Sequence, residues 1–110
     1  MSYVAKFFEF MVAHAMCDYA LQSAWMAQMK RRAWGDEWFS VLSAHSLING
    51  GGVYAVTGSV WLGMAETVCH AVIDYGKCEG WYGMWYDQSL HVLSKALWLV
   101  IYYLTERSLP

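Results

Sequence analysis

Histidine and aspartate recur at a spacing of four residues in three separate parts of the chain. The three pairs are His14 with Asp18, His70 with Asp74, and Asp87 with His91. Side chains four residues apart lie on one face of a helix, close enough to reach a common ion. The H-E-x-x-H motif presents two ligands to zinc in the same way. Imidazole and carboxylate groups also suit iron and manganese, so the pattern predicts an internal metal site.

The fourth histidine, His45, also falls in a predicted helix and is expected to join this site. Asn49, four residues later, is expected to support it by a hydrogen bond, and we assign Gln22 and Gln88 the same supporting role. The predicted ligands are His14, Asp18, His45, His70, Asp74, Asp87 and His91. The cofactor would be a divalent metal ion, zinc or another transition metal.

The number of predicted ligands allows more than one interpretation. Four imidazoles and three carboxylates exceed one tetrahedral site, so two metal ions about 3.5–4 Å apart could activate water for hydrolysis. A single His/Asp pair at this spacing is most often a side-chain hydrogen bond or a surface ion pair. A His/Asp proton relay and a purely structural polar core therefore stay open as alternatives.

The elements that must position these residues are helices, because no proline interrupts the chain before Pro110. Glycine and charge divide one domain, residues 1–110, into four predicted helices at about 3–29, 37–57, 59–77 and 86–106. Asp36 is the expected N-cap of the second helix, and Asp87 lies in the first turn of the fourth. Gly76 is the expected end of the third helix. Three consecutive glycines leave open that the second helix stops at Asn49.

The narrow polar stripes on these helices decide between two architectures. Hydrophobic residues make up 58% of the chain and charged residues 15%. A stripe that faces water on a soluble bundle is usually wide and rich in Lys and Glu. Here the stripes consist mainly of His, Asp and Gln, which favours stripes that face inward with lipid outside. We therefore expect an all-α, compact four-helix bundle embedded in a membrane.

Loop charges predict the orientation of this bundle. The basic run Lys30-Arg31-Arg32 lies in the first loop and Lys77 in the third. The positive-inside rule places both loops in the cytoplasm and both termini outside, and the His/Asp groups then approach a common depth. The expected location is the inner (cytoplasmic) membrane, with the bilayer as partner. The aromatic segment from Trp81 to Tyr86 is typical of an interfacial belt or of a cap over a core.

Charge and cysteine content exclude other classes. Seven Lys and Arg against nine Asp and Glu give a net charge of −2, and the only basic run is short, so direct nucleic-acid binding is not expected. The three cysteines contain no C-x-x-C, which argues against a disulfide framework and against a zinc knuckle.

Two blocks carry a family resemblance: His14…Cys17-Asp18-Tyr19…Leu21-Gln22…Met26-Ala27…Lys30, and Asp87-Gln88-x-x-His91. Together with His45 and the His70…Ile73-Asp74-Tyr75 block, their order resembles the bacterial and phage family called domain of unknown function 3307, over about residues 10–95. The resemblance implies a small, helical, membrane-associated protein of phage origin. Cys17 stands where the family usually has Gly, and Asn49 stands where a second His often follows the first.

Three functions stay open on the sequence alone. The first is a metal-dependent membrane hydrolase or a degenerate relative of one. The second is a phage-encoded, non-enzymatic binding protein that inhibits a host defence or membrane complex, with a host protein as partner and the host cytoplasm as alternative location. The third is a proton or ion relay, for which Glu66 and Lys95 at mid-helix depth are the specific support. A homo-oligomer is compatible with all three.

Overall fold

The chain folds into helices joined by short loops, as seen in a computed structural model that describes residues 2–105. No strand is present in this range, which confirms the all-α prediction. Five α-helices form: α1 Tyr3–Ala15, α2 Ala24–Met29, α3 Trp38–Thr57, α4 Val60–Cys78 and α5 Met84–Thr105. A π-helical turn at Met16–Ala20 continues α1, and a 3₁₀ turn at Arg32–Trp34 follows α2.

The four long helices close into a bundle. Helix α1 packs against α3 and α5, α4 packs against the same two helices, and the short α2 lies on α3. One end of the bundle, which we call the loop end, carries the first and third loops. Arg32 joins these loops by two hydrogen bonds to Glu79, at 3.0 and 3.1 Å, and holds the pKa of that carboxyl below its usual range.

The opposite end, which we call the distal end, carries the start of α1, the α3–α4 connection and the end of α5. The rings of Tyr3 and Tyr103 lie 4.0 Å apart there. Nζ of Lys6 donates to the carbonyl oxygen of Val56 at 3.2 Å. The chain therefore runs up and down between two ends, as short connections between helices require.

The prediction of one continuous helix over residues 3–29 is wrong. The π-helical turn follows α1 and ends at Ala20, and the chain leaves the helical path before Ser23. The hydroxyl of Ser23 then accepts from the Met26 amide at 3.1 Å and caps α2. A serine side chain can accept a hydrogen bond from a nearby backbone amide. Serine therefore favours the N-cap of a new helix over a position inside a continuous helix.

The alternative that the second helix stops at Asn49 is excluded, because α3 runs through the three glycines to Thr57. Gly50 is buried against α4, and a Cβ atom there would lie 2.6 Å from the carbonyl oxygen of Gly63 and would overlap the Thr67 hydroxyl. The missing side chain lets the two backbones approach closely, as small residues do at helix contacts.

Three predicted helix boundaries can be compared with the structure. The N-cap position of α3 is Glu37 rather than Asp36, and no side chain caps it. Helix α4 continues two residues past Gly76, which is buried against the ring of Tyr82. Asp87 lies in the first turn of α5, as predicted.

Polar groups fill much of the interior. The buried apolar cluster of Phe10, Val53, Leu62 and Trp98 is small, whereas the buried polar side chains include Lys6, His14, Asp18, Lys30, His45, Ser46, Asn49, Glu66, His70, Asp74, Asp87, His91 and Lys95. Among the described helices, none combines the length and apolar character needed to cross a membrane. The length and hydropathy of the whole helices therefore do not support the membrane part of the expected architecture.

Gly50 and its neighbour Gly51 form a matched pair for a test of the α3–α4 contact. Gly50→Ala should lower the free energy of unfolding by about 1–3 kcal/mol, because the added methyl overpacks the contact. Gly51→Ala should raise it by up to about 1 kcal/mol, because nothing lies within 4 Å of the new Cβ and alanine favours helix. Chemical denaturation followed by circular dichroism measures both; equal effects would contradict the close contact.

Candidate metal centre

Asp18 lies at the middle of the polar interior, on the π-helical turn. Nε2 of His45 donates to Asp18 Oδ1 at 3.0 Å, and Nε2 of His70 lies 3.4 Å from the same oxygen. Nε2 of Gln88 donates to the other carboxylate oxygen at 3.3 Å. Side chains from α3, α4 and α5 therefore meet on one carboxylate, and such π-helical turns are frequent at functional sites.

The four imidazoles form a continuous row inside the bundle. Ring centroids lie 4.9 Å apart between His45 and His70, 4.3 Å between His70 and His91, and 5.6 Å between His91 and His14. His45 and His70 have 0% of their surface exposed. The structure thus brings together the histidines that the sequence placed on four different helical segments.

Two triads in this row have the geometry of metal-ligand sets. The first is Asp18, His45 and His70, and the second is Glu66, His70 and His91. In each triad, one ligand atom per residue lies within 4.8 Å of the others. His70 belongs to both, since its Nε2 faces Asp18 and its Nδ1 lies 3.3 Å from Glu66 Oε2. Three protein ligands are the usual number in catalytic zinc sites.

Six of the eight ring nitrogens in this row lack a hydrogen bond within the described part of the chain. Both nitrogens of His70 and of His91 have no hydrogen-bond partner, and the same holds for Nδ1 of His14 and of His45. A buried polar atom without a partner costs about 1–3 kcal/mol. A bound transition-metal ion would use such nitrogen lone pairs, and the mixed imidazole and carboxylate donors suit zinc and its neighbours.

The charge of the interior is compatible with a bound cation. The cluster around the imidazoles contains four buried carboxylates and two buried ammonium groups, and with neutral histidines −4 + 2 gives −2: Asp18, Glu66, Asp74 and Asp87 against Lys30 and Lys95. Uncompensated charge is costly in a low-dielectric interior. One divalent cation, or two protonated imidazoles, would bring the sum to zero.

Three of the predicted ligands lie beside the triads rather than in them. His14 donates through Nε2 to Gln88 Oε1 at 3.0 Å. Asp74 Oδ2 accepts from Lys30 Nζ at 2.6 Å and lies 3.7 Å from Nε2 of His45. Oδ1 of Asp87 lies 3.4 Å from Nε2 of His91. Their assignment as ligands stays a prediction.

The predicted supporting residues have distinct contacts. Besides Asp18 and His14, Gln88 contacts Asp87, whose Oδ2 accepts from its amide at 3.2 Å. Gln22 accepts from Lys30 Nζ at 2.6 Å. The amide of Asn49 donates to the backbone carbonyl of His45 at 3.0 Å, and among the described residues its Oδ1 has no hydrogen-bond partner, so it does not bond to the His45 ring. Gln88 is thus the residue that links the ligands of separate helices.

Sequence reasoning left four interior residues out of the site: Glu66, Lys95, Trp98 and Lys30. Oε2 of Glu66 accepts from Lys95 Nζ at 2.9 Å, and its Oε1 accepts from the indole of Trp98 at 2.8 Å. Glu66 lies four residues before His70, the same spacing that drew attention to the His/Asp pairs, so a signal existed. Lys30 was assigned to a basic loop, but it ends α2 and turns inward onto Asp74.

The comparison with protein families matches residues 6–109 to the family described as Protein of unknown function (DUF3307). The chain belongs to this family. The match confirms the resemblance carried by the His14–Lys30 and Asp87–His91 blocks. No curated protein and no solved structure matches the chain. The family description assigns no activity.

The buried Lys30–Asp74 ion pair can be tested against the exposed Arg32–Glu79 pair. Lys30→Met should lower the free energy of unfolding by about 3–5 kcal/mol, because it leaves the Asp74 carboxylate buried without a counter-charge. Arg32→Met should cost about 0–1 kcal/mol. The double variant Lys30→Met with Asp74→Asn should recover most of the loss. Chemical denaturation measures all three, and equal effects of the two single variants would contradict the buried pair.

Proposed function

We propose that this protein is a membrane-embedded helical protein that holds one divalent transition-metal ion between Asp18, His45 and His70. The observation that carries the metal proposal is the set of buried ring nitrogens without hydrogen bonds, in a cluster whose net charge is −2 when its histidines are neutral. Zinc is the first choice, because two imidazoles and one carboxylate match its common three-ligand sites.

The chemistry that fits such a centre is metal-dependent hydrolysis, in this protein or in an active ancestor. A divalent ion with three protein ligands and an open position polarises a substrate oxygen and lowers the pKa of water. His45 and His70 are sealed by the bundle, whereas His14 and Asp18 retain 7% exposure each. A substrate would therefore approach from the side of His14 and Asp18.

The outer surface of the long helices supports the membrane part of the proposal. Within α1, α3, α4 and α5, none of the exposed residues is Asp, Glu, Lys, Arg or His. Exposed apolar residues instead recur every three or four positions, for example Val4, Phe8 and Val12, then Met64, Val68 and Val72, then Leu93, Leu97 and Val100. Lipid is the solvent that suits an apolar exterior around an ionised interior.

The hydropathy of each whole helix understates this surface, because it averages the outward stripe with the buried polar residues. At about 1.5 Å per residue, the 22 residues of α5 span about 33 Å, close to the roughly 30 Å of a hydrocarbon core. Exposed aromatic rings lie at both ends, with Trp81 and Trp85 at the loop end and Tyr3 and Trp61 at the distal end. Paired aromatic belts are typical of membrane proteins.

The charges at the loop end support an orientation in the cytoplasmic membrane. Arg31, Arg32 and Lys77 all lie at or next to this end. The positive-inside rule then places the loop end in the cytoplasm.

A second candidate function is non-enzymatic binding of a protein partner. The observation that favours it is the exposure of tryptophan at the loop end, where Trp85 is 84% exposed. Tryptophan is enriched at the energetic centres of protein interfaces. This function predicts that Trp85→Ala abolishes co-purification of a membrane partner and that His45→Gln leaves it unchanged. A metal-dependent activity would instead be lost in His45→Gln and kept in Trp85→Ala.

Metal content tests the primary proposal. The full chain purified with zinc present should contain about one zinc per chain by elemental analysis. His45→Gln should lower zinc affinity by well over tenfold, since outer contacts to metal ligands alone are worth about 10–100-fold. Cys69→Ser, which changes the neighbour of His70 without touching a triad, is the control. Absence of zinc from the unsubstituted protein, or equal affinity of both variants, would contradict the metal centre.

Membrane insertion is tested by one charge on the exposed stripe of α5. Leu93→Arg should reduce the fraction that resists alkaline carbonate extraction, because an arginine at the centre of an inserted helix costs about 2.5–3.5 kcal/mol. Ala33→Arg, in the first loop, should leave that fraction unchanged. If water covered α5, Leu93→Arg would be nearly neutral, within about 0.5 kcal/mol, and the two variants would fractionate alike.

A further inference from the structure

The second triad has an ammonium group bound to its own carboxylate, Glu66. Nζ of Lys95 donates at 2.9 Å to Glu66 Oε2, the same oxygen that lies 3.3 Å from His70 Nδ1. Lys95 is 2% exposed, so its ammonium is held inside the bundle. Asp18, the carboxylate of the first triad, is contacted by His45, His70, His14 and Gln88.

An ammonium group on Glu66 competes with a metal ion for the same oxygen. Lysine offers three donors and no acceptor, so it can bind the carboxylate but cannot ligate a metal while charged. A metal ion in the second triad would lie close to that positive charge, and such repulsion is strong in a low-dielectric interior.

We infer that Lys95 is a built-in cation that keeps the second triad free of metal, and that removing its charge creates a second zinc site sharing His70 with the first. The inference rests on the proposed metal centre and adds its stoichiometry. The protein would therefore hold one ion rather than the pair that the number of ligands allowed.

Charge balance supports one ion with Lys95 present and two without it. With its histidines neutral, the buried cluster has a charge of −2, and one zinc ion would bring it to zero. Without Lys95 the cluster has a charge of −3. Two zinc ions add +4, and His70 bridging them through both nitrogens releases its N–H proton to solvent as an imidazolate, so −3 + 4 − 1 gives zero. With Lys95 in place the same arrangement would carry +1.

The experiment is a zinc titration of the full chain, followed by removal of loose zinc and elemental analysis. We expect about one zinc per chain in the unsubstituted protein and about two in Lys95→Met. Lys95→Arg, which keeps the charge, should bind one. Lys6→Met is the matched control, because Lys6 is a buried lysine that pairs with Glu9 outside the triads, and it should also bind one. Lys95→Met with His91→Gln should return to one.

The outcomes separate this inference from the proposed function. One zinc in both the unsubstituted protein and Lys95→Met would overturn the role of Lys95 and leave the first site intact. Two zinc ions in the unsubstituted protein would also overturn the role of Lys95. Absence of zinc from the unsubstituted protein would overturn the metal centre itself. Lys95→Met leaves Glu66 buried without an ammonium partner. If that variant fails to fold, Lys95→Gln, whose amide can still donate a hydrogen bond to Glu66, gives the same readout.

Discussion

The structure depends on how a small helical bundle stabilises ionised and imidazole groups that it has removed from water. Each buried charge costs several kcal/mol unless it is paired and hydrogen-bonded. Two buried ion pairs offset part of that cost: Lys30 with Asp74, and Lys95 with Glu66. Gln88 bridges carboxylates and an imidazole from separate helices. Within the described residues, several ring nitrogens have no hydrogen-bond partner, and the proposed metal centre rests on them.

The polar interior and the apolar exterior of the bundle are related. A bundle of this size has few buried apolar side chains with which to drive folding in water. Many of its large apolar residues lie on the outside of the long helices, and exposed aromatic side chains lie at both ends of the bundle. An apolar solvent around the bundle would strengthen every ion pair inside it, because the local dielectric is low. The polar centre and the lipid-facing surface are therefore proposed together.

Helical geometry explains why much of the site could be predicted from the sequence. The i, i+4 pairing fixes which side chains share a face, so His70 with Asp74 and Asp87 with His91 could be assigned before their partners were known. Tertiary packing explains what was missed. The π-helical turn that carries Asp18 has no sequence signature. Gly50 disfavours a helix by its residue type, and its close contact with α4 cannot be seen in the sequence. Lys30 was predicted to lie in a basic loop because its partner, Asp74, is 44 residues away in the sequence.

The most direct measurement is the zinc K-edge X-ray absorption spectrum of the purified, zinc-loaded protein. Coordination by Asp18, His45 and His70 predicts a first shell of nitrogen and oxygen at about 2.0–2.2 Å, together with the outer-shell scattering of imidazole carbons. A shell containing sulfur at about 2.3 Å would place the ion on cysteine. A shell of oxygen alone, without imidazole scattering, would place it on surface carboxylates, and either spectrum would contradict an internal histidine–carboxylate centre.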